Sequence, residues 1–400
     1  PPGVRAMAQG PLPRDERGPA AQGHPPPPTV ATGRPPAEPG RPVVLVAEFC
    51  PPEGLRALEA GGCRVIYAPD GPREPGRLRR LVRAAEALLV RNQVRVDEEL
   101  LAGAPRLKVV GRLGTGLDNV DGAAAARRGV AVVYAPGANA RAVAEFVLAQ
   151  MLALARRLPE AAAMGASGTW LRPALVGEEL AHRTVGILGL GRIGQALVPL
   201  LRPLVAAVAT HHPRRGPEDP GWRRLGVRWM PLDDLLAWAD YLVVLLPLRP
   251  ETRGLLDAAR LRRLKRGARL VVTGRGGVVD ERALAGLLRE GHLAGAALDV
   301  RALEPPGPCD PLRGLPGVVL TPHVAGLTAE AQTRVATQVA ADVLRVLRGQ
   351  PPRHAAVLPS PPGPAPSPGA SAVRGRGATA ADAAAPAATP GTLPPRPPAR

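Results

Sequence analysis

One glycine run and three single residues hold most of the chemistry this chain can do. The apolar stretch Thr184-Val185-Gly186-Ile187-Leu188 leads into Gly189-Leu190-Gly191-Arg192-Ile193-Gly194, and a helical pattern from Gln195 to Arg202 follows. Each glycine has a task. Gly189 permits a tight turn, Gly191 lets a diphosphate approach a backbone that has no Cβ in the way, and Gly194 lets the helix pack close to its strand. The free N–H groups and positive dipole end of that helix then face the anion. A glycine run alone is a weak signal; a strand before it and a helix after it make a dinucleotide site the better reading than a glycine-rich turn. Farther along, each after an apolar strand, stand Arg275 in Thr273-Gly274-Arg275-Gly276-Gly277, Glu304 before Pro305-Pro306, and His323 after Thr321-Pro322. A guanidinium flanked by glycines can clamp a carboxylate through two parallel hydrogen bonds. A lone histidine is more often structural than catalytic, so the order of the whole set is what makes it specific.

A dinucleotide fingerprint predicts an acid at the end of its second strand, to hold the ribose hydroxyls. That strand, near 205–210, is followed by His211-His212-Pro213-Arg214-Arg215, which has no carboxylate. A carboxylate would repel a 2′-phosphate, whereas His212 and Arg214 would attract one. The sequence therefore leaves NADP open beside NAD, with an ordinary solvated arginine loop as the other reading.

The elements that must position these residues come in two series. Strands at 43–47, 64–67, 87–90, 108–111 and 130–134 alternate with helical stretches near 53–60, 76–85, 96–102 and 121–128. After a long helix at 140–158, strands at 185, 205–210, 241–246, 268–273, 294–299 and 318–321 make a second series, closed by a helix at 328–348. Such alternation predicts an α/β protein with parallel sheets covered on both faces, and a site in the cleft between the two units at the carboxyl ends of the strands. The long helix is apolar around most of its circumference, with Phe146, Val147, Leu148, Met151, Leu152 and Leu154, which predicts burial by its own core on one side and a partner on the other.

Composition narrows the classes. Residues 1–40 and 359–400, rich in Pro, Gly, Ala and Ser, are expected to be disordered. The first methionine is Met7, so the N-terminus is read as incomplete or as a translation artefact. No apolar run reaches the length of a membrane span or forms a signal-peptide core, which predicts a cytoplasmic protein without a membrane partner. The formal net charge is +18, but all the cations except Lys108 and Lys265 are arginines scattered through helical patterns, and aromatics are 2%. No stripe or stacking platform results, so nucleic acid is not expected as a partner. Cys50, Cys63 and Cys309 have neither metal-ligand spacing nor an even count, and read as reduced thiols.

Over about residues 43–350 the chain resembles the D-isomer-specific 2-hydroxyacid dehydrogenase family. The segments that carry the likeness are Leu89-Val90-Arg91-Asn92-Gln93-Val94-Arg95-Val96-Asp97, Gly111-Arg112-Leu113-Gly114-Thr115-Gly116-Leu117-Asp118-Asn119-Val120-Asp121, the glycine run at 189–194, Arg275-Gly276-Gly277-Val278-Val279-Asp280-Glu281, Ala297-Leu298-Asp299-Val300 with Glu304-Pro305, and Thr321-Pro322-His323. Within that family the chain looks like members of the phosphoglycerate-dehydrogenase and sulfolactate-dehydrogenase type without a regulatory domain.

The resemblance implies two doubly wound parallel-sheet domains: a flavodoxin-like substrate domain (41–138 with 325–358) and a Rossmann nucleotide-binding domain (139–324), hinged near 138–140 and 324–326. It implies that His323 protonates the carbonyl oxygen of a 2-oxo acid as hydride arrives, that Glu304 orients the imidazole and raises its basicity, and that Arg275 holds the carboxylate. Backbone N–H groups around Gly114 and Thr115 would grip the same carboxylate. Asp299 would orient the nicotinamide carboxamide, with Thr273, Arg192 and Ile193 also at the cofactor, and Arg91 and Arg112 would meet a second anionic group such as phosphate or sulfonate. A homodimer and no metal are implied. Other readings are a glyoxylate/hydroxypyruvate reductase using NADPH, a non-enzymatic NAD(H)-sensing scaffold of the corepressor type, and a decayed, inactive member. Departures from the family pattern are His212, Val272, Leu245, Val205 and Arg301, the last in place of an aromatic and expected to alter the pocket wall.

Overall fold

The computed structural model describes residues 40–357, so the tails expected to be disordered lie, apart from Gly40, outside the described residues. The first series forms strands β1 (Val43–Val46), β2 (Arg64–Tyr67), β3 (Ala87–Val90), β4 (Val109–Arg112) and β5 (Ala131–Tyr134). The second forms β6 (Thr184–Leu188), β7 (Ala207–His211), β8 (Arg228–Trp229), β9 (Tyr241–Val244), β10 (Arg269–Val272), β11 (Gly295–Leu298) and β12 (Val318–Leu320). The chain then returns to the first sheet as β13 (Ala355–Val357).

The sheet orders are β13-β5-β4-β3-β1-β2 and β12-β11-β10-β9-β6-β7-β8. Every pair is parallel except β13 on β5, which is antiparallel. Strand order reverses at β1/β3 in one sheet and at β6/β9 in the other, and ligands of doubly wound sheets bind beyond the carboxyl ends of the strands at such switch points. The central strands are apolar throughout because helices cover both faces: β3, β9 and β11 are buried at every residue.

Two helices link the sheets. Ala140–Ala155 packs on β10, β11 and the helix Arg192–Leu201, and Ala329–Leu347 packs on β4, β5 and the helix Pro52–Ala60. The first ends earlier than the 140–158 the sequence suggests. Arg157 takes a left-handed conformation (φ 50), and a second helix, Leu158–Ala166, follows with no buried residue. The apolar girth of Ala140–Ala155 is largely accounted for within the chain: Val143, Ala144, Val147, Met151 and Leu154 are in the core, Phe146 and Leu148 pack partly against it, and Leu152 is 40% exposed. The sequence gives no sign of β8, of β13, or of the short helices Pro220–Leu225, Leu232–Trp238, Ala258–Arg262 and Glu281–Arg289. β8 and β13, at two and three residues, are too short for an apolar period to stand out.

Candidate active site

The glycine run turns between β6 and its helix as its spacing predicts. Gly189 has φ 93, and Gly194 lies where a Cβ would press on Leu190. At Gly191 a Cβ would meet nothing within 4 Å, so protein packing does not explain this glycine; the open space beside it suits a diphosphate. Arg192, at the first turn of the helix, is exposed and Ile193 half-buried. Across the β6/β9 switch point, at the end of β10, the Thr273 hydroxyl is buried and has no hydrogen-bond partner. An open cradle with an orphaned hydroxyl beyond it fits a dinucleotide. At the end of β7, the Arg214 N–H donates to His212 Nδ1 (3.2 Å). Burial, together with the Arg215 and Arg214 charges, pushes the His212 imidazole below its ordinary proton affinity. Arg215 lies 3.6 Å from Asp219.

His323 follows β12 in a left-handed conformation (φ 57). Its own N–H donates to the carbonyls of Asp299 (2.9 Å) and Thr321 (3.0 Å). The buried Asp299 carboxylate accepts from Thr321 Oγ1 (2.7 Å), Val324 N–H (2.8 Å) and Ala325 N–H (2.9 Å), so it clasps both sides of the histidine. His323 Nδ1 lies 2.7 Å from Glu304 Oε2, while Glu304 Oε1 accepts from the Arg301 N–H (2.9 Å). An ionised carboxylate can only accept, so Nδ1 carries the hydrogen and Nε2 is left for chemistry. Burial pushes the Glu304 carboxyl up, but the hydrogen bonds from His323 and the Arg301 N–H, with the Arg275 charge, hold it below the usual range. Arg275 donates through Nη1 to the Gly274 carbonyl (2.9 Å) and through Nε to Asp118 Oδ2 (3.1 Å), which Nη2 also approaches at 3.1 Å.

Asp118 belongs to the first sheet's loops, so this pair joins the two sheets. Gly114 and Gly116 explain how cations come so close to that loop. A Cβ at Gly114 would collide with the Arg112 guanidinium, and one at Gly116 with that of Arg275. Gly114 N–H is committed to the Arg112 carbonyl (2.8 Å), which leaves Thr115 and Gly116 to supply N–H groups. Arg112 ends β4 with its Nε buried and unpartnered. Burial and the like charge of Arg275 pull its guanidinium down to about 10. Arg91 lies 5.7 Å over the Phe49 ring, and burial lowers it too, against the pull of Glu48. The buried Glu48 accepts from the N–H groups of Arg91 (2.8 Å), Gln93 (3.2 Å) and Val94 (3.0 Å) and so shapes the loop that carries Arg91.

The model of the D-isomer specific 2-hydroxyacid dehydrogenase NAD binding domain matches residues 148–325. A D-3-phosphoglycerate dehydrogenase of Mycobacterium tuberculosis is 45% identical over 311 residues, 77% of this chain and 57% of that protein. Among solved structures, the TT0316 protein of Thermus thermophilus is 36% identical with a TM-score of 0.72, over 79% of this chain and all of that one. This chain belongs to the D-isomer specific 2-hydroxyacid dehydrogenase family. An NADPH-dependent glyoxylate/hydroxypyruvate reductase of Sinorhizobium meliloti, solved with NADP and malonate, is 29% identical with a TM-score of 0.68, over 79% of this chain and 97% of that one. The chain spans a little over half the length of the curated relatives it matches.

The family's nucleotide-binding segment takes in every candidate from Gly189 to His323; Arg91, Arg112, Gly114 and Thr115 lie outside it. Glu48 and Asp118 shape the site without belonging to the set expected from the sequence. Glu48 had a legible signal, an acid directly after an apolar strand at a switch point. Asp118 had none beyond its place in the glycine loop. Arg301 was expected to alter the pocket wall, but its side chain is buried against Glu281 and Asp310.

Proposed function

We propose that the chain is an NAD(P)-dependent oxidoreductase that transfers hydride between a nicotinamide and a small D-2-hydroxy or 2-oxo acid with a second anionic group, of the 3-phosphoglycerate or sulfolactate type. The observation that carries this reading is the His323–Glu304 pair beside an arginine whose present partner is a carboxylate. A bound nicotinamide would supply the hydride. The rest is the protein's task. Arg275 binds the substrate carboxylate in place of Asp118 and polarises the adjacent carbonyl. Protonated His323 gives its Nε2 proton to the carbonyl oxygen as the hydroxyl forms, and Glu304 keeps the Nδ1 hydrogen in place. In the oxidative direction neutral His323 removes the hydroxyl proton. Thr115 and Gly116 add N–H groups to the carboxylate. Arg112, pressed by a like charge and with an unpartnered Nε, gains from a second anion, as does Arg91; the name of the M. tuberculosis relative agrees with a phosphate there.

Gly189, Gly191, Arg192, Ile193, Gly194 and Thr273 form the cofactor cradle, with Asp299 at its nicotinamide end. His212 and Arg214, where no carboxylate stands, admit a 2′-phosphate, so NADP is a usable cofactor. Residues 41–138 with 325–358 make the substrate domain and 139–324 the nucleotide domain. They hinge where Asn139 meets Gly326, at which a Cβ would collide with the Asn139 amide.

The test is nicotinamide absorbance with NADH or NADPH and glyoxylate, hydroxypyruvate, 3-phosphohydroxypyruvate or sulfopyruvate. Turnover that His323→Ala lowers by about 10²-fold or more supports the reading. Arg91→Ala and Arg112→Ala are expected to raise KM about tenfold for the doubly anionic acids and to leave glyoxylate unchanged. Tight cofactor binding without turnover of any acid overturns it.

A further inference from the structure

The segment that carries Glu304 is fastened by a cluster of charges that no step above uses. The Arg301 side chain is 6% exposed and that of Asp310 is 1% exposed. Arg301 Nη1 and Nη2 donate to the two Asp310 oxygens (2.6 Å each), and Nη2 also donates to Glu281 Oε2 (2.7 Å). The far oxygen of Glu281 accepts from Ala302 N–H (2.7 Å), and Asp310 Oδ1 accepts from Leu312 N–H (3.0 Å). Glu281 is the first residue of the helix Glu281–Arg289, which Asp280 caps through the N–H groups of Arg282 and Ala283. One guanidinium therefore ties together the end of the turn that begins at Arg275, the segment between Asp299 and Glu304, and the segment at 310–312.

The backbone of the same arginine faces the chemistry. Its N–H donates to Glu304 Oε1 (2.9 Å), the carboxylate that holds His323. Its carbonyl lies so close under Gly276 that any Cβ there would collide with it, which is why the residue after Arg275 is glycine. A planar fork whose two terminal nitrogens are held by two carboxylates fixes the orientation of its own main chain, which a single-point ammonium cannot do.

We propose that Arg301 is a positioning residue: its buried fork, held by Glu281 and Asp310, keeps its N–H on Glu304 and its carbonyl under Gly276, so that the His323–Glu304 pair and Arg275 stay in register. The consequence for turnover rests on the dehydrogenase reading, whereas the consequence for the His323–Glu304 bond rests on the geometry alone. The charged groups that face Glu304 are His323 and Arg275, and Arg313 is the further charge near Asp310.

Proton NMR of the full chain, with steady-state kinetics, tests the assignment. The unaltered protein is expected to give a downfield imidazole N–H resonance from His323 on Glu304. His354, whose Nδ1 lies 2.9 Å from Asp342 next to β13 in the other sheet, gives a second as an internal reference. His323→Gln assigns the first. In Arg301→Lys the His323 resonance is expected to broaden or move upfield while that of His354 stays. With it, kcat falls about tenfold and KM for the cofactor is unchanged. Asp310→Asn leaves Arg301 on Glu281 and is expected to move the same two readouts less. A folded Arg301→Lys protein with an unchanged His323 resonance and kcat overturns the proposal, even if it melts lower, because a merely structural arginine predicts that result. A wild-type protein without turnover, whose His323 resonance still responds to Arg301→Lys, overturns the dehydrogenase reading and leaves the role of Arg301 standing.

Discussion

His323 occupies a backbone conformation that most residues avoid. At φ 57 its Cβ crowds its own carbonyl, at a cost of order 1 kcal/mol, and it stays there because Asp299 takes hydrogen bonds from the residues before and after it. Glycine carries no such cost in the left-handed region, although it loses more freedom on folding. His323→Gly is therefore expected to melt above His323→Ala, by the equivalent of roughly 0.5–1 kcal/mol. Calorimetry of the two proteins decides the point. If alanine matched or exceeded glycine, the surroundings would not be holding His323 under strain. The same side chains show what a sequence can and cannot give at this scale. Arg275 and His323 were legible because each stands beside glycine or proline just after a strand, and Glu304 because it precedes Pro305. The clasping by Asp299 was not legible, since its three donors come from residues 22 to 26 positions away.

At the scale of elements, the long apolar strands and the Gly-x-Gly-x-x-Gly turn could be read, because burial on both faces leaves near-continuous Val, Leu and Ala runs. Part of what escaped is held by polar contacts. β13 is fixed by Asp342, deep in the final helix, which accepts from the N–H groups of Arg353 (2.7 Å) and His354 (3.2 Å); no period in three strand residues announces that. The segment 301–312 likewise has no regular structure, and Arg301 departs from the family pattern there, yet the segment is anchored by ions. Its anchor has a pH signature. The Arg301 fork pulls Asp310 down from an ordinary 3.8 to about 2. A carboxyl depressed on folding adds stability that is fully present above about pH 4 and is lost as pH falls through about 2. Urea midpoints measured from pH 6 down to pH 2 are expected to fall more steeply for the unaltered protein than for Asp310→Asn, which has less to lose in that window. Parallel curves would mean that the pair adds no net stability.

For the whole molecule the telling feature lies outside both sheets. The helix Leu158–Ala166 buries none of its residues, and the stretch after it leaves Trp170 82% and Val176 77% exposed, with Leu158 and Leu171 each more than half exposed. Met164, Trp170, Leu171 and Leu175 line a shallow apolar concavity there, and the Leu171 N–H donates to the Met164 sulfur (3.4 Å), so the segment is shaped although the core does not require it. Exposed apolar area of this kind is what an isologous interface uses. We propose that a second copy of this chain docks through residues 158–176, the segment that follows the helix Ala140–Ala155. Because those side chains contribute nothing to the monomer's core, Trp170→Asp with Leu171→Asp should fold as well as the unaltered chain and differ in mass alone. Sedimentation equilibrium at micromolar concentration is expected to give a dimer for the unaltered protein and a monomer for the double variant. Two dimers would move the interface elsewhere, and two monomers would leave the apolar segment without a partner of its own kind.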